Sequence, residues 1–501
     1  MPTDPASVAA VDIIYAISDG EGGEDTATAT FSVAPYEPPN QPPVADDGVT
    51  FTMSEDGTLS LTESELLGAS SDVDGDQLHI QNVQVSDGNG TIAAGPSVVP
   101  GSEFLVNTTR EDNSGYDSTP AISGLQNGGF VAVWASSLGP DGKGVFGQLY
   151  GSDGNPVGTE FQIDTTHQQT QNQPAVTGLE NGGFAVTWAS NWPQEGDSSG
   201  DVYARVYNSE GSAEGDQFIV NTSNAGTQLQ PDIAATTDGG FAITWGNGHA
   251  NDELFGQRFN SDGSRNQDEF IVNSTTVGTQ TSPAIAGLAE GGFVVTWTSE
   301  HQDGSNKGVY GQRYDADGNL LGTEFPVNTE TFDSQSDSSV AGLADGGFVV
   351  TWDSDSQDGS GAGVYGQMYG PNGNLVGSEF RINSYTAENQ EFVSVTSLAD
   401  GGFVVTWESY GQDGSDRGIF GQRFDDAGSA VGDEFQVNTH SNNNQLSVSV
   451  AGLEDGNFVA IWSSSGQLDG DAGTYAKLFS IPENTWTYVP VGDFNGSVAL
   501  S

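Results

Sequence analysis

Residues 72–76 read Asp72-Val73-Asp74-Gly75-Asp76. Three carboxylates at alternate positions around a glycine turn suit a hard divalent cation, because Ca2+ gathers about six to eight oxygens. Asp46, Asp47, Glu55 and Asp87 stand close enough in sequence to add donors from neighbouring loops. No twelfth-position glutamate follows in the right context, so this is not an EF-hand loop. A solvated acidic turn is the competing reading.

A second set of acids recurs. S-x-x-Q-D-G-S occurs at 299–305, 354–360 and 409–415 and puts Asp303, Asp358 and Asp413 at matching places. Two readings stand: a shallow sugar or Ca2+ site, or an ordinary Asp-Gly turn. Gln280, Gln335 and Gln390 belong to a third set, with Gln171, Gln228, Gln445 and Asp117 at the same relative position. These would ring the mouth of a channel, where they touch a ligand or bond the neighbouring backbone. Asp117, the exception in type, could hold a cation. Trp192 lies in a non-repeating stretch, Asn191-Trp192-Pro193-Gln194. It reads either as a flat stacking platform for a ligand or as the anchor of its own loop.

Classes of chemistry drop out. There is no cysteine, the five histidines fall at unrelated places, and no H-E-x-x-H, G-x-S-x-G or phosphate loop occurs. Carboxylate pairs of the kind that cleave glycosidic bonds are always on offer in so acidic a chain. The expectation is that the chain is not an enzyme. With 69 acidic against 11 basic residues and a net charge of -58, the surface repels nucleic acid and anionic lipid and attracts cations. No run of 18 apolar residues is present, so no membrane-spanning helix is expected. Residues 1–5 show no leader pattern, and the chain reads as a section of a larger protein.

These residues need a scaffold, and the scaffold is a repeat. Tryptophans recur at Trp134, Trp188, Trp245, Trp297, Trp352, Trp407 and Trp462, at intervals of 54, 57, 52, 55, 55 and 55. Each closes a G-G-F-V-V-T-W-like stretch, followed by G-[VI]-[FY]-G-Q-x-[FY] and E-F-x-[VI]-N-[TS]. Such a period marks one supersecondary unit set beside itself. Each unit predicts four short strands: a at 283–288, b at 292–299, c at 308–314 and d at 324–328 in the fourth copy. Seven such units predict a seven-bladed β-propeller over 99–480. The array opens with a lone strand d at 103–107 and ends after strand c at 474–479, so the first strand should complete the last blade. The Phe and Trp of strand b, four residues apart, share one face and pack between blades. The d–a and b–c connections are long and polar, so function is expected on that face.

Around the array lie strand-turn-strand pieces. Alternation at 12–17 and 26–33 across a glycine turn predicts a hairpin. Five prolines lie between 35 and 43, which gives a stiff linker at 37–43. Residues 44–98 and 481–501 read as two halves of one β-sandwich module. Four stretches carry a resemblance: Asp72 to Asp76, Val85-Ser86-Asp87-Gly88-Asn89-Gly90-Thr91, Thr485-Trp486-Thr487-Tyr488 with Phe494-Asn495-Gly496, and Tyr15 with Ser18-Asp19-Gly20. Their wording resembles the cadherin-like tandem domains of giant RTX-type bacterial adhesins. The fold class expected is thus all-β, a seven-bladed propeller inserted into a cadherin/Ig-like sandwich module. Residues 1–36 would be the closing hairpin of a preceding module. That hairpin also matches what the split module lacks after Ser501, within one chain or as a head-to-tail swap between chains.

The resemblance implies Ca2+ at module junctions, on Asp72, Asp74 and Asp76 and also on Asp19 and Glu21. It implies a secreted protein at the bacterial surface, with neighbouring sandwich modules as partners along the chain. The propeller is then expected to be a ligand-binding head for a glycan or other cell-surface group, acting in cell adhesion and biofilm. A non-binding spacer and a polysaccharide-cleaving enzyme are the alternatives.

Overall fold

In the computed structural model the chain divides into two compact units, Met1–Val99 with Ile481–Ser501, and Pro100–Ser480. The structure describes residues 98–107, 118–139, 142–165, 170–191, 200–222, 226–248, 253–276, 278–468 and 471–482, and elsewhere the strands named next.

The first unit is two sheets. One holds, in order, Phe51–Met53, Ser497–Leu500, Ala9–Ser18, Glu24–Pro35 and Leu78–Val85. The other holds Leu59–Thr62, Thr485–Pro490 and Gly90–Ala94. The N-terminal hairpin sits inside the larger sheet, with Tyr15 opposite Leu500 and Ser18 opposite Ser497. In this structure the hairpin adds to the sheet of the split module, the within-chain arrangement. The reason is the bare edge of Ser497–Leu500: an open row of N–H and C=O groups takes a strand where one is offered, and here the same chain supplies it.

The second unit is seven four-stranded antiparallel sheets. In the fourth blade the strands are a, Gln280–Gly287; b, Phe293–Glu300; c, Lys307–Tyr314; and d, Leu320–Pro326. Strand a starts three residues earlier than its alternation suggests, because the register slips between Thr281 and Ala284. A bulge hides the first residues of the strand from any period-two reading. Strand d is likewise earlier, with a slip opposite Gly311 and Arg313.

All seven repeat tryptophans are fully buried, as are the phenylalanines four residues before them. Phe403, Val405 and Trp407 of the sixth blade pack on Val349, Val364 and Met368 of the fifth. Burying about 150–250 Å2 per large aromatic contributes roughly 4–6 kcal/mol before entropy, so the blade interfaces are the core. The channel is lined by one Ile or Val from each blade, from Ile122 round to Val450. Beneath them runs a collar of bare backbone. A Cβ on Gly342 would stand 2.2 Å from the Gly287 carbonyl oxygen, and one on Gly452 would stand 2.4 Å from that of Ser397.

The ring closes without a covalent link. The seventh sheet runs Gln445–Gly452, Phe458–Leu468, Asp471–Ser480 and then Val99–Leu105 from the far end of the repeats. The closing strand carries every latch of the repeat. Val106 N–H donates to Thr474 O at 2.8 Å, and Thr474 N–H donates to Asn107 Oδ1 at 2.8 Å. Leu254 N–H makes the same bond to Asn273 within the third blade, also at 2.8 Å. Glu103 accepts from Thr439 N–H of the preceding blade at 2.7 Å, as Glu324 does from Ser274 N–H. Tyr150 Oη of the first blade donates to Val106 O at 3.2 Å.

Asn107→Ala and Asn273→Ala each strand one buried N–H, a loss of about 1–3 kcal/mol. Asn107 also holds the seam. Thermal unfolding and limited proteolysis should therefore show Asn107→Ala as the more damaging of the two, with first cleavage near the seventh blade.

Candidate binding site on the loop face

The glutamines lie at the start of strand a and belong to the fold. Gln280, Gln335 and Gln390 are 1%, 0% and 0% exposed. Trp297 Nε1 donates to Gln280 Oε1 at 3.0 Å. Gln335 Oε1 accepts from Asn328 Nδ2, and Gln390 Oε1 from Asn383 Nδ2, both at 3.1 Å. Their own amide groups donate to Phe332 O and Ala387 O. The expectation that these three bind a ligand is corrected: their hydrogen-bonding capacity is spent on the walls, where no ligand reaches.

Asp303, Asp358 and Asp413 each cap their own turn. Their Oδ1 atoms accept from the N–H of Ser305, Ser360 and Ser415 at 2.8, 3.1 and 3.0 Å. Each Oδ2 is buried without a hydrogen-bond partner, pressed toward the glycine that opens strand c. A Cβ on Gly308, Gly363 or Gly418 would meet it at 2.9, 2.9 or 2.7 Å. The Ser and Gln of the motif are tied down too: Ser299 Oγ donates to Gln302, and Gln302 Nε2 to Glu324. Among the described residues no three acidic or His side chains converge to hold a metal ion. Trp192, Asp117, Asp19, Glu21, Asp46, Asp47, Glu55, Asp72, Asp74, Asp76 and Asp87 lie outside the described residues.

What the sequence did not announce is a ring of seven strained residues, two places after each glutamine position. Thr119, Gln173, Gln230, Ser282, Asp337, Phe392 and Ser447 all have positive φ, between 50° and 57°. Non-glycine residues held there cost about 1–3 kcal/mol each and gather at functional sites. Polar side chains link part of this ring at the channel mouth. Gln230 N–H donates to Gln173 Oε1 at 3.1 Å, and Ser282 N–H to Gln230 Oε1 at 3.2 Å. Ser282 Oγ donates to Asp337 Oδ1 at 3.0 Å. Phe392 is the apolar member of the seven and is 45% exposed. Phe332, in the connection that enters the fifth blade, and Tyr410, at the end of strand b of the sixth, are 71% and 44% exposed. These are the exposed aromatic rings of the described propeller residues, and all three lie on the loop face of blades 5 and 6.

Behind Phe392 is a group of acids. Asp353 follows Trp352 and sits opposite Ser336; Glu408 follows Trp407 and sits opposite Glu391. The residue after the tryptophan faces the next blade. Thr298 accepts there from Asp337 N–H at 3.1 Å, and Glu408 accepts from Ser447 N–H at 2.6 Å. Asp353 accepts only from Ser336 Oγ at 3.1 Å; its Oδ1 is buried and unpartnered. The residue is 7% exposed. Arg417 bonds Glu408 at 2.7 Å and Glu391 at 3.0 Å, and its guanidinium lies 5.5 Å from the Phe392 ring centre.

Loss of water pushes the Asp353 carboxyl well above the ordinary range, and the charges of Asp337, Glu391 and Asp355 push it further, against the Ser336 hydrogen bond. Burial also raises Glu408, with Ser447 N–H and Arg417 pulling the other way. Asp232, held between the third and fourth blades by Ile285 and Ile233 N–H, is pushed up to about 6 by burial. A protonated carboxyl beside ionised ones is the pairing that acid–base chemistry uses.

The described fold is an all-β protein with a seven-bladed propeller whose residues interrupt, in sequence, those of a two-sheet module. Residues 39–99 match the cadherin-like domain family. No curated protein matches the chain. Similar solved structures include a protein of unknown function from Dyadobacter fermentans, with 10% identity, a TM-score of 0.47, and coverage of 77% of this chain and 100% of that one. The GH93 α-L-arabinofuranosidase of Fusarium graminearum is 12% identical, with a TM-score of 0.42 and coverage of 62% and 92%. The NanB sialidase of Streptococcus pneumoniae is 8% identical, with a TM-score of 0.43 and coverage of 97% and 93%. The expectation that this chain is not an enzyme is corrected by these neighbours: glycoside hydrolases stand among them.

Asp353 carries its own pH signature. Above about pH 4 the unfolded chain gives up this proton while the folded chain keeps it, so stability falls as pH rises. It stops falling once the folded group has ionised too. Asp353→Asn should raise the melting temperature at neutral pH and flatten its decline between acid and neutral pH. Calorimetry across that range checks it.

Proposed function

We propose that the propeller is the glycan-binding head of a large secreted adhesin at the bacterial surface. Cadherin-like modules stiffened by Ca2+ on Asp72, Asp74 and Asp76 present it, and binding serves attachment to cells or surfaces. The observation that carries this reading is Phe392: an exposed ring at a strained ring position, flanked by Arg417 and the carboxylates of Glu391 and Asp337. A sugar offers an apolar face and a fringe of hydroxyls. An aromatic platform with charged hydrogen-bonding groups at its margin answers both. Phe332 and Tyr410 widen the platform, and the polar necklace from Gln173 to Asp337 extends it across the mouth. The cadherin-like match at 39–99 supports the stalk.

One observation favours a second reading, cleavage of a polysaccharide. Burial and the charges of Asp337 and Glu391 push the Asp353 carboxyl well above the ordinary carboxylate range, the direction a general acid needs.

A glycan array in millimolar Ca2+ separates these from an inert spacer. Binding is expected, and Phe392→Ala should weaken it about tenfold or more, while Leu375→Ala on the outer strand leaves it unchanged. Release of reducing ends from the bound glycans, abolished in Asp353→Asn, identifies a hydrolase. Absence of any glycan binding defeats the proposal.

A further inference from the structure

The charges behind Phe392 do not balance. Asp337 and Asp355 face Asp353 from its own blade, Glu391 faces it from the next, and Glu408 shares Arg417 with Glu391. Arg417 is the guanidinium that ion-pairs with this group, and both of its bridges go to the sixth blade, while Lys307 of the fourth blade faces Asp355. On the fifth-blade side stand Asp337 and Asp353, the latter with one oxygen buried and unpartnered. In the fourth and sixth blades the equivalent side chain bonds the next blade's N–H. In the fifth the side chain makes no such bond, and its unpartnered Oδ1 stands among the acids of Asp337, Asp355 and Glu391.

Resting on the glycan reading, we propose that the ligand taken at blades 5 and 6 is an amino sugar with a free, positively charged amine. Its ammonium sits between the Phe392 ring and the carboxylates of Asp337, Asp353 and Glu391. The match is one of donors and shape. An ammonium offers three N–H donors and no acceptor, which suits acid side chains that arrive from different strands and do not close into a shell. A hard metal ion needs that shell, and no such convergence exists among the described residues. An aromatic face beside the cation adds attraction, and Phe392 already holds Arg417 in this way. The net charge of -58 draws a cationic chain in from a distance.

A consequence follows for the proton. At rest burial and its acidic neighbours push the Asp353 carboxyl well above the ordinary range. An arriving ammonium cancels that repulsion, so Asp353 ionises and a proton leaves to the buffer. Amine binding is therefore linked to proton release, whereas binding of a neutral sugar is not.

The test uses the whole chain and two probes, a β-1,4-linked glucosamine tetramer and its fully N-acetylated counterpart. Titration calorimetry is run at about pH 5, where the probe's amines are already protonated and take up no proton on binding, in two buffers with different heats of ionisation. The free-amine probe is expected to bind about tenfold tighter, with proton release that differs between buffers as the ionisation heats do. Asp353→Asn should lose the proton release, and Glu391→Gln should lose most of the preference. Equal affinity for both probes, still sensitive to Phe392→Ala, overturns the amine assignment and leaves the glycan reading standing. Binding of a lysine-rich peptide in preference to either sugar overturns it in favour of a protein ligand. Absence of binding by any sugar removes both readings.

Discussion

Everything in the propeller hangs on a seam that no covalent bond crosses. Seven copies of one unit can bury their aromatic faces only if the last copy meets the first. Val99–Leu105 makes that meeting possible by lending the final blade its outer strand. The closing strand carries the latches that recur round the ring, an asparagine bond within the blade and a glutamate bond to the preceding one, for which the first blade has Asp164 in place of Asn and the second Gln217 in place of Glu. The joint is thus chemically indistinguishable from a blade interior, and Phe130, Ala132 and Trp134 pack across it onto Val459, Ile461 and Ala476. A ring built this way tolerates variation in its loops, because most of its cohesion comes from the buried faces of the blades.

That tolerance is where the site arises. The ring of positive φ residues is a structural requirement of the bulge in strand a, and most of its members serve it with small or polar side chains. Once the backbone is fixed, the side chain there is free to change. In the sixth blade it is Phe392, and around it the residues after the tryptophans have turned acidic, as Asp353 and Glu408. Two departures from the repeat coincide in space although 39 residues separate Asp353 from Phe392. The fold brings them together because one faces the next blade and the other belongs to it.

The parts of the molecule legible in the sequence are those the period repeats. Trp297, its strand, and the lone closing strand could be placed from spacing alone, because each has seven witnesses. Strand a was misjudged at its start for a physical reason: the bulge at Ser282 breaks the alternation that marks a strand. Gln335 and Gln390 looked like mouth residues because they are polar and recur. Recurrence was the mark of a structural duty, the bonding of Asn328 and Asn383. Phe392 carried the opposite signal, an aromatic where its counterparts are Gln, Ser, Thr or Asp, and only the bulge's position makes that comparison possible. The hairpin at the N-terminus was recognisable as a hairpin, while the sheet it enters was set by the bare edge of Ser497–Leu500, which no local pattern reports.

The collar of glycines at the base of the channel has a bearing on ancestry. Gly124, Gly178, Gly287, Gly342 and Gly452 let neighbouring innermost strands approach until a carbonyl oxygen occupies the volume of a missing methyl group, with Ala235 and Ser397 at the same place in the third and sixth blades. That spacing suits one circumference. A duplication that added an eighth unit would draw the strands apart and leave those gaps empty, and the loss of a unit would drive oxygen into Cα. Repeats this alike invite copy-number drift whenever the chain is inherited. The bare backbone at the hub acts as a gauge against it, admitting seven and penalising any neighbour of seven.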